Sequence, residues 1–273
     1  MPEGHTLHRL ARDLGAAFTG RTVASTSPQG RFADSAAALD GALVEGAEAY
    51  GKHLFVDLRT VAGEPQVVHV HLGLYGSFAV HPDAGPEGVP EPRGQVRWRL
   101  VTQDGPPAYA DLRGATACEL MVPGERQGIL DRLGPDPLRA DADPDRGWER
   151  VRRSRAPIGT LLMDQSVLAG VGNVYRAEVL FRHRLHPLRP GNTLRAGQFA
   201  AVWEDLVALL EAGVEAGRIV TTRPEHPGQV YVYRRDGEPC RVCGATVRTA
   251  EQAARNVFWC PRCQPVFRSR AKA

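Results

Sequence analysis

Residues 240–263 read CRVCGATVRTAEQAARNVFWCPRC. Two Cys-x2-Cys pairs, Cys240/Cys243 and Cys260/Cys263, stand 16 residues apart. A two-residue spacing lets both thiolates of a pair grip one ion, and two pairs complete a tetrahedral set. The set contains no histidine and leaves no open position, so it reads as a closed structural site with one Zn2+ per chain. A hairpin this small cannot hold a core of its own, so the metal fixes its tip. That tip carries Ala254-Arg255-Asn256-Val257-Phe258-Trp259, and an arginine there suits a phosphate clamp. Alone, the motif specifies a small zinc-stabilised hairpin and no enzyme. The fifth cysteine, Cys118, reads as a small apolar filler in a strand.

Upstream of the hairpin the periodicity is helical, at roughly 147–154, 158–165, 173–184 and 196–217. Between the second and third pieces lies Leu168-Ala169-Gly170-Val171-Gly172-Asn173. Its glycines permit a tight turn, and Asn173 reads as a cap for the next helix. Such a turn lets exposed amides approach a phosphate at a helix start. Residues 123–147 hold four prolines and many acids and read as a linker. Before them, Leu7, Leu10, Ala11, Leu14, Ala17 and Phe18 form one helix face, with Gly20 as a stop. Residues 43–61, 66–80 and 95–102 read as strands, separated by Pro- and Gly-rich loops. The expected organisation is a helix plus β-sandwich or barrel over 1–122, a linker over 123–147, a helical domain over 148–228 and a zinc finger over 229–273.

The chain has 273 residues, of which 42% are hydrophobic and 24% charged. This composition excludes a disordered, fibrous or coiled-coil protein. No apolar run is long enough for a membrane span, and MPEGHTLHRL does not resemble a signal peptide. Paired cysteines without a disulfide framework point to a reducing, cytoplasmic setting. The net charge of +3 hides an asymmetry. Residues 1–149 carry 14 basic and 21 acidic side chains, whereas 150–273 carry 20 and 10. A basic C-terminal half suggests a polyanionic partner. All basic residues but Lys52 and Lys272 are arginine.

The start of the chain carries a third signal. Proline at position 2 is small enough for Met1 to be removed, which leaves Pro2 as a secondary amine. An α-amino group titrates near ~7.7–8, so a useful fraction is neutral and nucleophilic at pH 7. Attack on a sugar C1′ gives an iminium directly, and the Glu3 carboxyl is placed to shuttle protons.

Together these features resemble the formamidopyrimidine-DNA glycosylase/endonuclease VIII family of base-excision repair enzymes. The resemblance rests on Met1-Pro2-Glu3-Gly4, Gly51-Lys52-His53-Leu54, His71-Leu72-Gly73-Leu74-Tyr75-Gly76, Leu162-Met163-Asp164-Gln165 through Gly170-Val171-Gly172-Asn173, and the four-cysteine hairpin with Arg255. It implies an α+β, two-lobed fold: an N-terminal helix and β-sandwich, then a helix–two-turn–helix lobe with a zinc finger. It implies Pro2 as Schiff-base nucleophile and Glu3 as acid/base. Lys52 would hold a phosphate and assist β-elimination, and Arg255 would serve phosphate binding and δ-elimination. Gly172 and Asn173 would bind phosphate. Leu74 and Tyr75 would wedge into the space left by an extruded nucleotide, the alternative being that they are strand core. The implied partner is damaged DNA and the implied cofactor structural zinc. A monomer in the bacterial cytoplasm, associated with the nucleoid, is expected.

The branch is read from particular residues. Pro2-Glu3-Gly4, Leu74-Tyr75-Gly76 and Asp164-Gln165 resemble endonuclease VIII, which removes oxidised pyrimidines. His71-Leu72-Gly73 resembles the purine-specific branch. Asp111-Leu112-Arg113 resembles that branch's wedge strand, but Gly114-Ala115 follows where an intercalating Phe is expected, so Arg113 would insert alone. His5-Thr6 also departs from the family's usual residues. The pyrimidine branch is favoured. The alternatives are a glycosylase of oxidised purines and a non-catalytic lesion- or abasic-site-binding protein of the same fold.

Overall fold

A computed structural model describes residues 2–122, 124–226 and 228–268. The chain divides into two compact units, Met1–Arg132 and Leu133–Ala273.

The first unit opens with α1 (Gly4–Phe18), whose Leu7, Ala11, Leu14, Ala17 and Phe18 are buried at three- and four-residue spacing. The helix stops before Gly20, which sits at φ +79°, a conformation that only glycine adopts freely. Eight antiparallel strands and one short helix follow. They are β1 (Thr22–Thr26), α2 (Ala33–Ala38), β2 (Ala42–Tyr50), β3 (His53–Arg59), β4 (Pro65–His71), β5 (Ser77–His81), β6 (Val96–Thr102), β7 (Tyr109–Arg113) and β8 (Ala117–Leu120). They form one ladder in the order β5-β7-β6-β1-β2-β3-β4-β8. The ladder folds back on itself: on β6, Arg97 donates to the carbonyls of Ala115 and Cys118 at 3.1 and 3.2 Å. Helix α1 packs on β2, β3 and β5. The core joins Leu7, Leu14 and Phe18 to Phe32, Leu54, Phe78 and Trp98. Cys118 lies in this core, and burial pushes its thiol up to about 12.

The stretch 43–61, expected as strand, is a hairpin that reverses at Gly51-Lys52, with Gly51 at φ +58°. Likewise 66–80 divides into β4 and β5 around a turn at 72–76. In both cases a glycine permits a reversal that apolar periodicity alone does not register.

The second unit is helical up to a terminal hairpin. After α3 (Glu125–Leu130), which closes the first unit, come α4 (Pro144–Arg153), α5 (Ile158–Leu161), α6 (Asn173–Arg182) and α7 (Ala196–Ala216). Strands β9 (Arg248–Gln252) and β10 (Arg255–Trp259) then pair antiparallel. Residues 123–147 were expected as a linker, yet they contain α3, and Leu133 to Pro137 are buried. Gly134 N donates to Gln165 O at 2.9 Å, and Pro135 O accepts from Ala169 N at 3.0 Å. Helix α4 starts at Pro144 because Asp143 accepts from Asp145 N and proline suits the first turn. Leu162, Val171, Tyr175, Val202 and Leu206 anchor the helical core. No helix among the described residues is long and apolar enough to cross a membrane.

Candidate functional site

Pro2 is half-buried and directly precedes α1. Glu3 takes the N-cap position in extended backbone and is 0% exposed, with its carbonyl accepting from Thr6 N. A carboxylate beside the first turn of a helix faces unsatisfied amides and the positive end of the dipole. His5 is buried, which lowers its pKa to about 4 and leaves it neutral at pH 7. Met1, whose removal frees the Pro2 nitrogen, lies outside the described residues.

Lys52 occupies the tip of the β2–β3 hairpin. Beside it three imidazoles share one face of β3 and β4. The β3–β4 register pairs Phe55 with His69. His53 Nδ1 and His69 Nε2 are 2.9 Å apart, and the ring centroids of His53 and His71 are 5.1 Å apart. Glu119 on β8 reaches His69 Nδ1 at 4.0 Å. Burial first, then repulsion from neighbouring imidazoles, pulls His53 down to about 3 and His69 to about 4, and burial followed by the Lys52 charge lowers His71. These rings therefore stay neutral at pH 7 and leave Lys52 as the cation of its own turn.

The turn at 72–76 puts Leu74 and Tyr75 into solvent, 46% and 92% exposed; they are not strand core. Glycines force this. A Cβ at Gly73 (φ +70°) would lie 2.0 Å from Thr116 Oγ1, and one at Gly76 would lie 2.3 Å from Leu72 O. Arg113 ends β7, and its guanidinium is drawn back: it donates to Asp111 Oδ2 at 2.9 Å and twice to Arg93 O at 3.2 Å. Gly114 follows at φ +60°.

In the second unit the 165–173 turn is stitched by Gln165. Its side chain accepts from Gly170 N at 3.0 Å and donates to Val171 O at 2.9 Å. Gly172 is the N-cap of α6. The reading of Asn173 as that cap is corrected: it is the first helical residue. Its Nδ2 donates instead to Asn256 O on β10 at 3.1 Å. Asn173 does not cap because it lies one residue inside the helix, with Gly172 at the cap position.

Arg255 opens β10 and is exposed. The hairpin tip is Ala253-Ala254, with φ +50° and +56°. The four thiols converge, with all Sγ atoms within 4.8 Å of one another. Cys240–Cys263 is 3.9 Å and Cys243–Cys260 is 3.4 Å. A Zn–S length of ~2.3 Å sets tetrahedral edges near ~3.8 Å, so the set fits a zinc ion. Among the described residues no other group of three or more His, Cys, Asp or Glu has such spacing.

Two residues of the second unit escaped the sequence reading. Arg176, 1% exposed, forks onto Asn173 and Asn256. Glu178, 0% exposed, accepts from Thr221 Oγ1 and from the amides of Tyr231, Val232 and Tyr233 at 2.6–2.9 Å. Charged residues inside an otherwise apolar helical run were the available signal, because a buried charge requires partners.

Comparisons with known proteins cover the whole of this arrangement. A model for the formamidopyrimidine-DNA glycosylase N-terminal domain matches residues 1–118, one for the H2TH domain matches 133–224, and one for a zinc finger found in FPG and IleRS matches 237–266. The chain is 54% identical to Endonuclease 8 1 of Mycobacterium tuberculosis, over 97% of this chain and 100% of that one. It is 32% identical to formamidopyrimidine-DNA glycosylase of a Synechococcus strain, over 95% and 93% of the two chains. Among solved structures, Lactococcus lactis Fpg in complex with abasic-site DNA shares the fold with a TM-score of 0.78 at 24% identity, covering 97% of this chain and 100% of that one. MutM in complex with DNA containing carbocyclic 8-oxo-G gives 0.79 at 22% identity, with the same coverage.

Proposed function

The chain belongs to the formamidopyrimidine-DNA glycosylase/endonuclease VIII family, and we propose that it is a bifunctional DNA glycosylase and abasic-site lyase that removes oxidised pyrimidines. The observation that carries this reading is the Pro2-Glu3 pair, with half-buried Pro2 directly before α1 and buried Glu3 at its N-cap position.

With Met1 removed, the Pro2 nitrogen attacks C1′ of the extruded nucleotide. The C1′–N bond breaks and the base leaves with the bonding pair, to be protonated by water; Glu3 takes the proton that the Pro2 nitrogen loses and hands it to O4′ as the sugar ring opens. The resulting iminium acidifies C2′. Loss of that proton expels the 3′ phosphate, and a second elimination expels the 5′ phosphate. Lys52 holds phosphate and assists the first elimination; Arg255 serves the second. Gly172 and Asn173 hold the backbone at the positive end of α6. Cys240, Cys243, Cys260 and Cys263 hold Zn2+, which supplies folding energy to the hairpin and takes no part in the chemistry. The enzyme acts as a cytoplasmic monomer on damaged DNA.

The pyrimidine branch is supported by the solvent-exposed Leu74 and Tyr75 and by Gly114 in a left-handed conformation that a bulky residue avoids. A saturated pyrimidine stacks poorly, so its extrusion costs less of the few kcal/mol normally needed.

Borohydride trapping on abasic DNA, followed by mass spectrometry, tests the chemistry. The adduct is expected on the Pro2 nitrogen, and an adduct on Lys52 would sink the assignment. A lesion panel tests the branch. Cleavage of dihydrouracil, thymine glycol and abasic DNA is expected well above 8-oxoguanine opposite cytosine; the reverse order assigns the purine branch.

A further inference from the structure

We propose that Arg176 is a positioning residue that orients the Asn173 amide toward a DNA phosphodiester and couples that orientation to the zinc hairpin. The proposal rests on the DNA-binding reading above and goes beyond it in naming how the phosphate site is built.

Arg176 lies one turn after Asn173 on α6 and is 1% exposed. Its planar fork reaches three elements. Nη1 donates to Gly159 O on α5 at 3.3 Å. Nη2 donates to Asn256 O on β10 at 2.9 Å and to Asn173 Oδ1. Asn256 O also accepts from Asn173 Nδ2 at 3.1 Å.

An asparagine amide has two N–H donors and one oxygen. Here the oxygen is committed to Arg176 and one N–H to Asn256 O. The second N–H is the group left to meet a phosphate oxygen at the start of α6. Without the guanidinium only the Asn256 carbonyl opposes the flipped amide, which would turn its oxygen toward the anion. Arginine suits the task because its charge is permanent and its donors are coplanar. The Asn256 carbonyl directly follows Arg255, so a disordered hairpin would withdraw one corner of the network as well as its own arginine.

The test is a double-mutant cycle on the zinc-loaded full chain, with R176M, N173A and the double variant. Affinity for duplex DNA carrying a tetrahydrofuran abasic analogue, zinc content and abasic-site cleavage are measured. R176M is expected to keep its zinc, to bind about tenfold more weakly and to raise KM with kcat little changed. In the N173A background the same change should cost less than about twofold. R176K should fall with R176M, because an ammonium cannot span three oxygens in one plane. If R176M loses zinc or melts early, R176Q carries the same cycle, since it keeps donors without charge. Additive losses, or wild-type affinity in the Arg176 variants, would overturn the proposal. Absence of DNA binding in the wild-type protein would instead overturn the functional reading on which it rests.

Discussion

Tyr75 stands on a turn and Arg255 directly beside one, yet the two turns are held by opposite means. The 72–76 turn is wedged against Thr116 and Ala115 by glycines and is backed by an eight-stranded ladder over a contiguous apolar core. The 252–256 tip rides on two strands, and all but the last residue of β9 is exposed. Its apolar support is a small cluster around Phe258, Val247 and Tyr231 that shares its space with the thiols. A large buried core fixes a loop through packing alone. A hairpin too small for that relies on a metal and on a few polar anchors from its neighbours.

That contrast can be broken outright by removing the metal. Cys260→Ser or a chelator should forfeit the roughly 10 kcal/mol or more that structural zinc can contribute to folding such a module. The hairpin should melt and DNA affinity should fall, with the melting transition of the N-terminal unit unmoved in calorimetry. A shift in that transition would mean the two regions are not independent.

Acid should do the reverse and strike the N-terminal unit. His53 and His69 are held near 3 and 4 against 6.5 in the unfolded chain. The unfolded state therefore binds more protons between those limits. Stability from these rings is complete above 6.5 and falls as the pH drops toward 4, by about 3 kcal/mol or less for His69. His53→Phe combined with His69→Leu should flatten the fall in melting temperature over that window; an unchanged slope refutes the burial argument.

Tyr75→Ala should leave stability unchanged, because the ring touches solvent. Base removal from duplex DNA should slow by about fivefold or more if its stacking is worth ~1–3 kcal/mol, with abasic-site cleavage less affected. Smallest is Ala254→Gly. Relief of one left-handed alanine should stabilise the hairpin by ~1 kcal/mol, read as a higher chelator midpoint.

Much of this architecture was legible in the chain. The face of α1, the stop near Gly20 and the convergence of four cysteines follow from spacing, because local geometry alone decides them. Exposure of Leu74 and Tyr75 rested on resemblance, and the clash of a Cβ at Gly73 with Thr116 supplies the physical reason. The histidine stack was not legible. It exists only because the β3–β4 register sets His69 opposite Phe55. Asn173 was misread as a cap by one residue, and its partner carbonyl, Asn256 O, is 83 residues away. The 123–147 stretch misled because prolines suit packed turns as well as open linkers.

Glu178 carries one last consequence. A single carboxylate grips Thr221 on one side and Tyr231, Val232 and Tyr233 on the other. The two ends of the intervening segment are thus pinned to one point on α6. Lengthening a loop whose ends are already joined costs only ~0.6 kcal/mol per doubling. A change in the segment's length should therefore leave its two ends in place, provided Glu178 and Thr221 stay.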